Sequence, residues 1–169
     1  VGCGGIAAVH GSVLTSDIDT EFVAAADIKP KKAQTYAENF HTKPYPSLES
    51  MLEAEKPDVL HICTPHYLHV PMAIYSLERN INVFMEKPPA ISFDQLEELK
   101  KAAAKSETQL GFCYQNRYNA SIRAAKDLID SGKAGKVLGA RAFVTWCRGA
   151  AYYTESGWRG SLKTEGGGV

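Results

Sequence analysis

Long hydrophobic runs are missing from this 169-residue chain: none approaches the ~20 apolar residues that cross a bilayer, so no membrane partner is expected. Charge of one sign is missing too. The 19 Lys+Arg balance 19 Asp+Glu for a formal net charge of +0, without the clustered basic surface by which nucleic acids are recognised. No charged, apolar and cleavable leader is evident, and the expectation is a cytoplasmic protein. Cysteine is sparse, at positions 3, 63, 113 and 147 with no C-x-x-C, which argues against a disulfide frame or zinc site and for reduced thiols in a core. An initiator methionine is absent as well: the chain opens on Val1-Gly2-Cys3-Gly4 and closes on Glu165-Gly166-Gly167-Gly168-Val169. Both ends read as cut, with at least a strand expected upstream and an unknown length downstream.

What is present is a 44% hydrophobic composition in which apolar segments alternate with helical patterns, the order that gives a parallel sheet covered by helices. Glu21–Asp27, Asp58–Cys63, Asn82–Met85 and Gln109–Cys113 read as strands. Pro30 to Phe40 reads as a helix opening with proline, and Ser47 begins another. Val70, Ala73, Ile74 and Leu77 form an i, i+3, i+4, i+7 stripe. Ser92-Phe93-Asp94-Gln95 has the form of a capping box, starting a helix with Phe93, Leu96, Leu99 and Ala103 inward. Ile122, Ala125, Leu128 and Ile129 mark a further helix ending at Gly132. From Lys136 to Arg148 the partial alternation predicts an antiparallel strand. The fold class is therefore α/β, a doubly wound parallel sheet followed by the start of a different domain. The expected division is 1–118 and 119–169, with a bridging helix at 118–131.

Gly2-Cys3-Gly4-Gly5-Ile6-Ala7 matches G-x-G-x-x-A. Gly2 permits the tight turn out of a strand, Gly4 lets a pyrophosphate approach the backbone, and Ala7 is small enough for close helix packing. The helix start supplies free N–H groups for phosphate. Twenty residues after Ala7, Asp27 ends the next predicted strand, where its carboxylate can accept both ribose hydroxyls of an adenosine. It would repel a 2′-phosphate, favouring NAD; Lys29, Lys31 and Lys32 lie just beyond and could accommodate NADP, although a solvated helix start explains them equally. Thr64-Pro65 and Glu86-Lys87-Pro88-Pro89 follow predicted strands, at the edge where open α/β sheets bind ligands. Lys87 there can polarise a hydroxyl or exchange its proton, or else be part of a charged loop. His61, His66 and His69 span a strand, a turn and a helix start, matching no standard metal spacing; no metal is expected.

The glycine turn, Thr64-Pro65 with His69, Glu86-Lys87-Pro88, and Trp158-Arg159 followed by Gly166-Gly167-Gly168 occur in the order seen in the glucose-fructose oxidoreductase, inositol dehydrogenase and rhizopine catabolism (Gfo/Idh/MocA) family, which this chain resembles throughout. The resemblance implies a Rossmann domain and then an α/β domain with a large, open, mostly antiparallel sheet for substrate and oligomer contacts. It implies an NAD(P)-dependent dehydrogenase or reductase for a sugar, inositol or related polyol, acting as a homo-oligomer. Gly2, Gly4, Gly5, Ile6 and Ala7 would form the pyrophosphate turn and Asp27 would hold the ribose. Thr64, Pro65 and His69 would line the cofactor path, Glu86 would contact the nicotinamide half, and Lys87 would be the catalytic lysine, on a Lys87-Pro88 peptide often cis in the family. Gln115, Asn116, Arg117, Trp158 and Arg159 would approach the nicotinamide. Family members usually carry an Asp and an acid/base His on the helix after the G-G-G turn, beyond Val169. A non-catalytic dinucleotide sensor of the same family and a nucleotide-dependent methyltransferase remain as other readings.

Overall fold

The computed structural model describes residues 1–167. Local chemistry sets the element ends. Helix α1, Gly5–Ser16, begins directly after the glycine turn. Strand β1 (Ala24–Ala26) leads to α2 (Pro30–Phe40), where proline at the first helical position loses no helical hydrogen bond. Strand β2 (Lys43–Tyr45) precedes α3 (Leu48–Glu55), capped by Ser47 Oγ accepting from the Ser50 N–H at 3.1 Å. Strand β3 (Val59–Ile62), a 3₁₀ turn at His66–Leu68, α4 (His69–Leu77), β4 (Asn82–Glu86), α5 (Phe93–Lys105) and β5 (Leu110–Cys113) follow. At α5 the Ser92 hydroxyl accepts from the Gln95 N–H, but the Gln95 side chain accepts from the Ile91 N–H rather than returning to Ser92 as a reciprocal box would.

All paired strands are parallel: β1 with β2, and β3–β4–β5 in that order. Val1 and Gly2 bridge the two groups. The Gly2 N–H donates to the Ala26 carbonyl at 2.8 Å, and the Cys63 N–H donates to the Val1 carbonyl at 2.9 Å. The resulting sequence, β2, β1, Val1–Gly2, β3, β4, β5, is that of a doubly wound dinucleotide-binding sheet.

Strand alternation sends successive side chains to opposite faces. Leu60 and Ile62 of β3 and Val83 and Met85 of β4 enter one core with Leu48, Met51 and Leu52 of α3, Val70, Ala73 and Leu77 of α4, and Leu99 of α5. Burying each large aliphatic here contributes about 1.5–3 kcal/mol. Ala7, Ala25 and Tyr36 form a smaller core with α1 and α2. Gly11 lies under Tyr36, where a Cβ would sit 2.6 Å from the phenol oxygen, and that oxygen donates to the Ala7 carbonyl. Phe93, expected inward, is 87% exposed: it is the first residue of α5, and inward packing falls instead to Leu99. The expected core thiols are only partly buried at Cys3, Cys63 and Cys113, and Cys147 is exposed.

The chain divides into two compact units: Val1–Cys113 with Trp158 onward, and Tyr114–Gly157. The second holds a 3₁₀ turn at Gln115–Tyr118, α6 (Ala120–Asp130) and α7 (Ala150–Thr154). The strand expected over Lys136–Arg148 does not form; Leu138, Phe143 and Trp146 are exposed there. A strand needs a neighbour for its N–H and C=O groups, and none of the described residues of this unit supplies one. A short helix, α8 (Leu162–Glu165), belongs to the first unit.

Candidate functional site

The turn ahead of α1 combines a close approach with open space. Gly2 has φ +85, and a Cβ there would lie 2.8 Å from the Cys63 carbonyl carbon and oxygen and 2.9 Å from the Thr64 nitrogen, so only glycine fits. At Gly4 and Gly5 a Cβ would meet nothing within 4 Å. No side chain among the described residues caps α1, leaving its first-turn N–H groups for an anion. Ile6 is partly exposed and Ala7 is buried under Tyr36. Asp27 Oδ2 accepts from the Cys3 N–H at 2.9 Å and Oδ1 from the Lys29 N–H at 2.8 Å. Each oxygen keeps a further lone pair for a ribose hydroxyl. The Thr64 hydroxyl is buried with no hydrogen-bond partner among the described residues, beside the main chain that Gly2 approaches. Open space over a helix N-terminus, a carboxylate with spare acceptors and an orphaned hydroxyl fit a dinucleotide. A cavity of about 480 Å³ lies between β1 and β3 around Leu14, Val23, Met51 and His61, reaching Gly2 and Ala7 at one side.

The second turn follows β4. Glu86 is 5% exposed; its Oε1 lies 3.0 Å from His10 Nε2, and its Oε2 accepts from the Lys87 N–H at 3.2 Å. The Lys87-Pro88 peptide is cis, and the Lys87 side chain is exposed. His69 is fully buried, with Nδ1 2.8 Å from the Pro88 carbonyl oxygen and Nε2 3.0 Å from that of Thr64. This differs from the cofactor-lining part expected of His69: enclosed between two carbonyls, it ties the turn after β3 to the turn after β4. Glu86 is likewise enclosed.

His10 was not singled out by its sequence context, although it follows Ala7 by three residues on the buried face of α1, where a polar side chain needs a partner. Its Nδ1 lies 2.9 Å from His61 Nδ1. Hydrogen bonding to Cys63 and to Glu86 raises the His10 pKa to about 9 against its burial. Burial and the His10 charge lower that of His61 to about 4. Burial pushes the Glu86 carboxyl up, but the hydrogen bonds from His10 and Cys113 outweigh it and hold the pKa below 4.5. Cationic His10 then donates from Nε2 to Glu86, while its Nδ1–H faces both neutral His61 and the Cys63 sulfur. Candidate ligand atoms of His10, Glu86 and Cys113 lie within 4.8 Å of one another, but hydrogen bonds already use this cluster.

Trp158 and Arg159 stand in the same unit as these turns. The Trp158 ring packs edge-on against His66 at 4.6 Å between centroids, and the Arg159 guanidinium lies 4.5 Å from the Trp158 centroid. His66 Nδ1 donates to the Glu165 carbonyl at 2.9 Å, fastening α8 beside the turn after β3. Gln115, Asn116 and Arg117 form the exposed 3₁₀ turn that opens the other unit. Gly168, of the expected G-G-G turn, lies outside the described residues.

The sequence model of the Gfo/Idh/MocA oxidoreductase family, an NAD-binding Rossmann fold, matches residues 1–114. The chain belongs to this family. Its N-terminal unit is thus the Gfo/Idh/MocA NAD-binding domain. Among curated Gfo/Idh/MocA relatives, D-glucoside 3-dehydrogenase of Escherichia coli is 29% identical over 160 residues, covering 94% of this chain and 44% of that protein. Inositol 2-dehydrogenase/D-chiro-inositol 3-dehydrogenase of Lacticaseibacillus casei is 28% identical over 146 residues, covering 84% and 42%. The crystal structure of the WlbA dehydrogenase from Bordetella pertussis, in complex with NADH and UDP-GlcNAcA, superposes with a TM-score of 0.88 at 29% identity, covering 97% of this chain and 51% of that one. The chain spans about half the length, or less, of the proteins it matches. No helix among the described residues is long and apolar enough to cross a membrane.

Proposed function

We propose that this chain is the cofactor-binding portion of an NAD-dependent oxidoreductase acting on a secondary alcohol, or the corresponding carbonyl, of a sugar, inositol or related polyol. The observation that carries the reading is the placement of Lys87: its main chain is held by Glu86, the following Pro88 carbonyl by His69, and its side chain is exposed after a sheet strand. Relatives named as glucoside and inositol dehydrogenases support the substrate class.

Bound nicotinamide would accept hydride from the alcohol carbon, or return it to the carbonyl. The open turn at Gly4 and Gly5 and the first N–H groups of α1 receive the pyrophosphate in this reading, and Asp27 accepts from the ribose hydroxyls, favouring NAD over NADP. Thr64 and Pro65 border the cofactor, which gives the Thr64 hydroxyl a partner. The Lys87 ammonium donates a hydrogen bond to the substrate oxygen, stabilising the alkoxide left when the hydroxyl proton passes to the acid/base group of the whole protein and, in the opposite direction, the negative charge that develops on the carbonyl oxygen as hydride arrives. Trp158 and Arg159, in the same unit as the two turns, would border the nicotinamide. A substrate domain starts at 119, and the working protein is a homo-oligomer.

The test is a polyol and sugar screen of the full-length protein with NAD and with NADP, alongside NADH binding by fluorescence transfer. Lys87→Ala lowers kcat about 100-fold or more while the Kd for NADH stays within about threefold, because the lysine meets the substrate and not the pyrophosphate turn. Unchanged kcat overturns its role, and absence of NADH binding by the parent protein overturns the whole reading.

A further inference from the structure

The face of the sheet under α1 carries a polar line that the proposed chemistry does not use directly. Strand register puts His61 beside Phe84 and Phe84 beside Gly111, and Glu86 beside Cys113. The opposite face, with Leu60, Ile62, Val83 and Met85, is wholly apolar. Gly111 leaves room for the Phe84 ring, since a Cβ there would stand 3.1 Å from it. His10 comes down on this line from α1, edge-on to His61 at 5.2 Å and 6.0 Å from the Phe84 centroid. It is 8% exposed and bonded at both ring nitrogens.

Buried polar groups of this kind cost free energy unless satisfied, and one satisfied at every donor is held in a single rotamer. His10 lies in the helix whose first turn faces the open space at Gly4 and Gly5. Its partner Glu86 holds the Lys87 N–H with the other carboxylate oxygen. One helix therefore presents N–H groups to a phosphate at its start and, about one and a half turns on, fixes the carboxylate that orients the lysine.

We propose that His10 is a positioning residue for Lys87: by fixing the Glu86 carboxylate it sets the Lys87 main chain relative to the cofactor-binding helix, so that the ammonium and the bound dinucleotide are placed by one rigid element. This rests on the reading of Lys87 given above. The groups facing His10 are His61 and Cys63 from β3 and its end, Glu86 from β4 and Cys113 from the end of β5. Among them Glu86 is the only carboxylate, so it is the group whose charge His10 answers.

The experiment uses the full-length protein with His10→Ala, His10→Gln and Glu86→Gln. Displacing a reacting group by about 1 Å costs on the order of 100-fold in rate. His10→Ala accordingly lowers kcat between about tenfold and 100-fold with the Kd for NADH within about threefold, and His10→Gln, which keeps a donor towards Glu86, recovers part of the loss. Imidazole nitrogen NMR of the parent protein near neutral pH, with the His10 signals assigned by their loss in His10→Gln, shows His10 protonated at both nitrogens; in Glu86→Gln the His10 signals become those of a neutral ring. A His10→Ala protein with kcat within about twofold of the parent overturns the positioning role while leaving the oxidoreductase reading intact. A parent protein that neither binds NADH nor oxidises polyols overturns the oxidoreductase reading and the positioning role that rests on it, and the NMR signature then reports the ion pair alone. A neutral His10 in the parent overturns the ion pair, and the positioning role with it. Should His10→Ala fail to fold, the kinetics of His10→Gln and the spectra of Glu86→Gln decide.

Discussion

At the turn ahead of α1, N–H groups, space and a Thr64 hydroxyl stand unclaimed by the described residues, whereas at the turn after β4 the Glu86 carboxylate, the Lys87 N–H and the Pro88 carbonyl are all engaged. Both turns follow or adjoin strands of one parallel sheet, yet under the proposed function they would serve ligands in contrary ways. The first is suited to binding because a phosphate or ribose can satisfy what the protein leaves open. The second is suited to positioning because its own contacts hold its main chain, while the lysine side chain is exposed. Rigidity and vacancy are thus divided between neighbouring turns.

The division is broken most severely where the open turn is itself tight. Gly2→Ala forces φ +85 on a residue with a Cβ and presses that Cβ to 2.8 Å from the Cys63 main chain. Left-handed strain of roughly 1–2 kcal/mol and overpacking of a similar size combine to about 3 kcal/mol of lost stability. Urea unfolding of the full-length protein measures it; a loss below about 1 kcal/mol would show that the turn relaxes and that Gly2 is dispensable.

How much of this could be read from residues alone follows the range of the interactions. The apolar runs of β3, β4 and β5 and the proline and serine starts of α2, α3 and α5 are local signals, and the structure follows them closely. Strand β2 was missed because Lys43-Pro44-Tyr45 is short and carries a proline and a charge, features of an edge strand that periodicity does not report. Lys136–Arg148 shows the reverse: its alternation is genuine, but a strand is a property of a pair, and the partner is not among the described residues of its unit. The glycine turn with Asp27 was legible because spacing along the chain fixes it. The His10–Glu86 pair was not, since it joins residues 76 positions apart, and only the buried face shared by Ala7 and His10 hints that a partner is needed.

The closed turn is sharpened by pH. His10, raised to about 9 by Cys63 and Glu86, contributes stability that is complete below the unfolded imidazole value of about 6.5 and is lost as pH rises through about 9. His61, lowered to about 4, runs oppositely: its share is present above about 6.5 and is lost as pH falls through about 4. The lowered Glu86 pKa adds to the acid-side loss. Stability of the full-length protein should peak near pH 6.5 and fall by on the order of 3 kcal/mol by the far side of pH 9. Glu86→Gln removes an ion-pair partner, lowering stability at the optimum by about 3 kcal/mol and flattening the alkaline limb. Parallel curves for the two proteins, measured by urea unfolding across this range, would detach His10 from Glu86.

The smallest expected effect on stability falls on the open turn, and there the contrast is cleanest. Gly4 has φ −86, which any residue adopts, and a Cβ meets nothing within 4 Å. Replacing an N-cap glycine by alanine costs only a few tenths to about 1 kcal/mol, so Gly4→Ala unfolds at nearly the same urea concentration as the parent. The methyl group nevertheless enters the space in which a pyrophosphate would approach the α1 N–H groups. NADH affinity should therefore fall about tenfold or more, against a change in Kd of threefold or less for Lys87→Ala. A Gly4→Ala protein that binds NADH as tightly as the parent would move the phosphate away from this turn, while one that loses stability by more than about 1 kcal/mol would show that the space over Gly4 is needed by the fold itself.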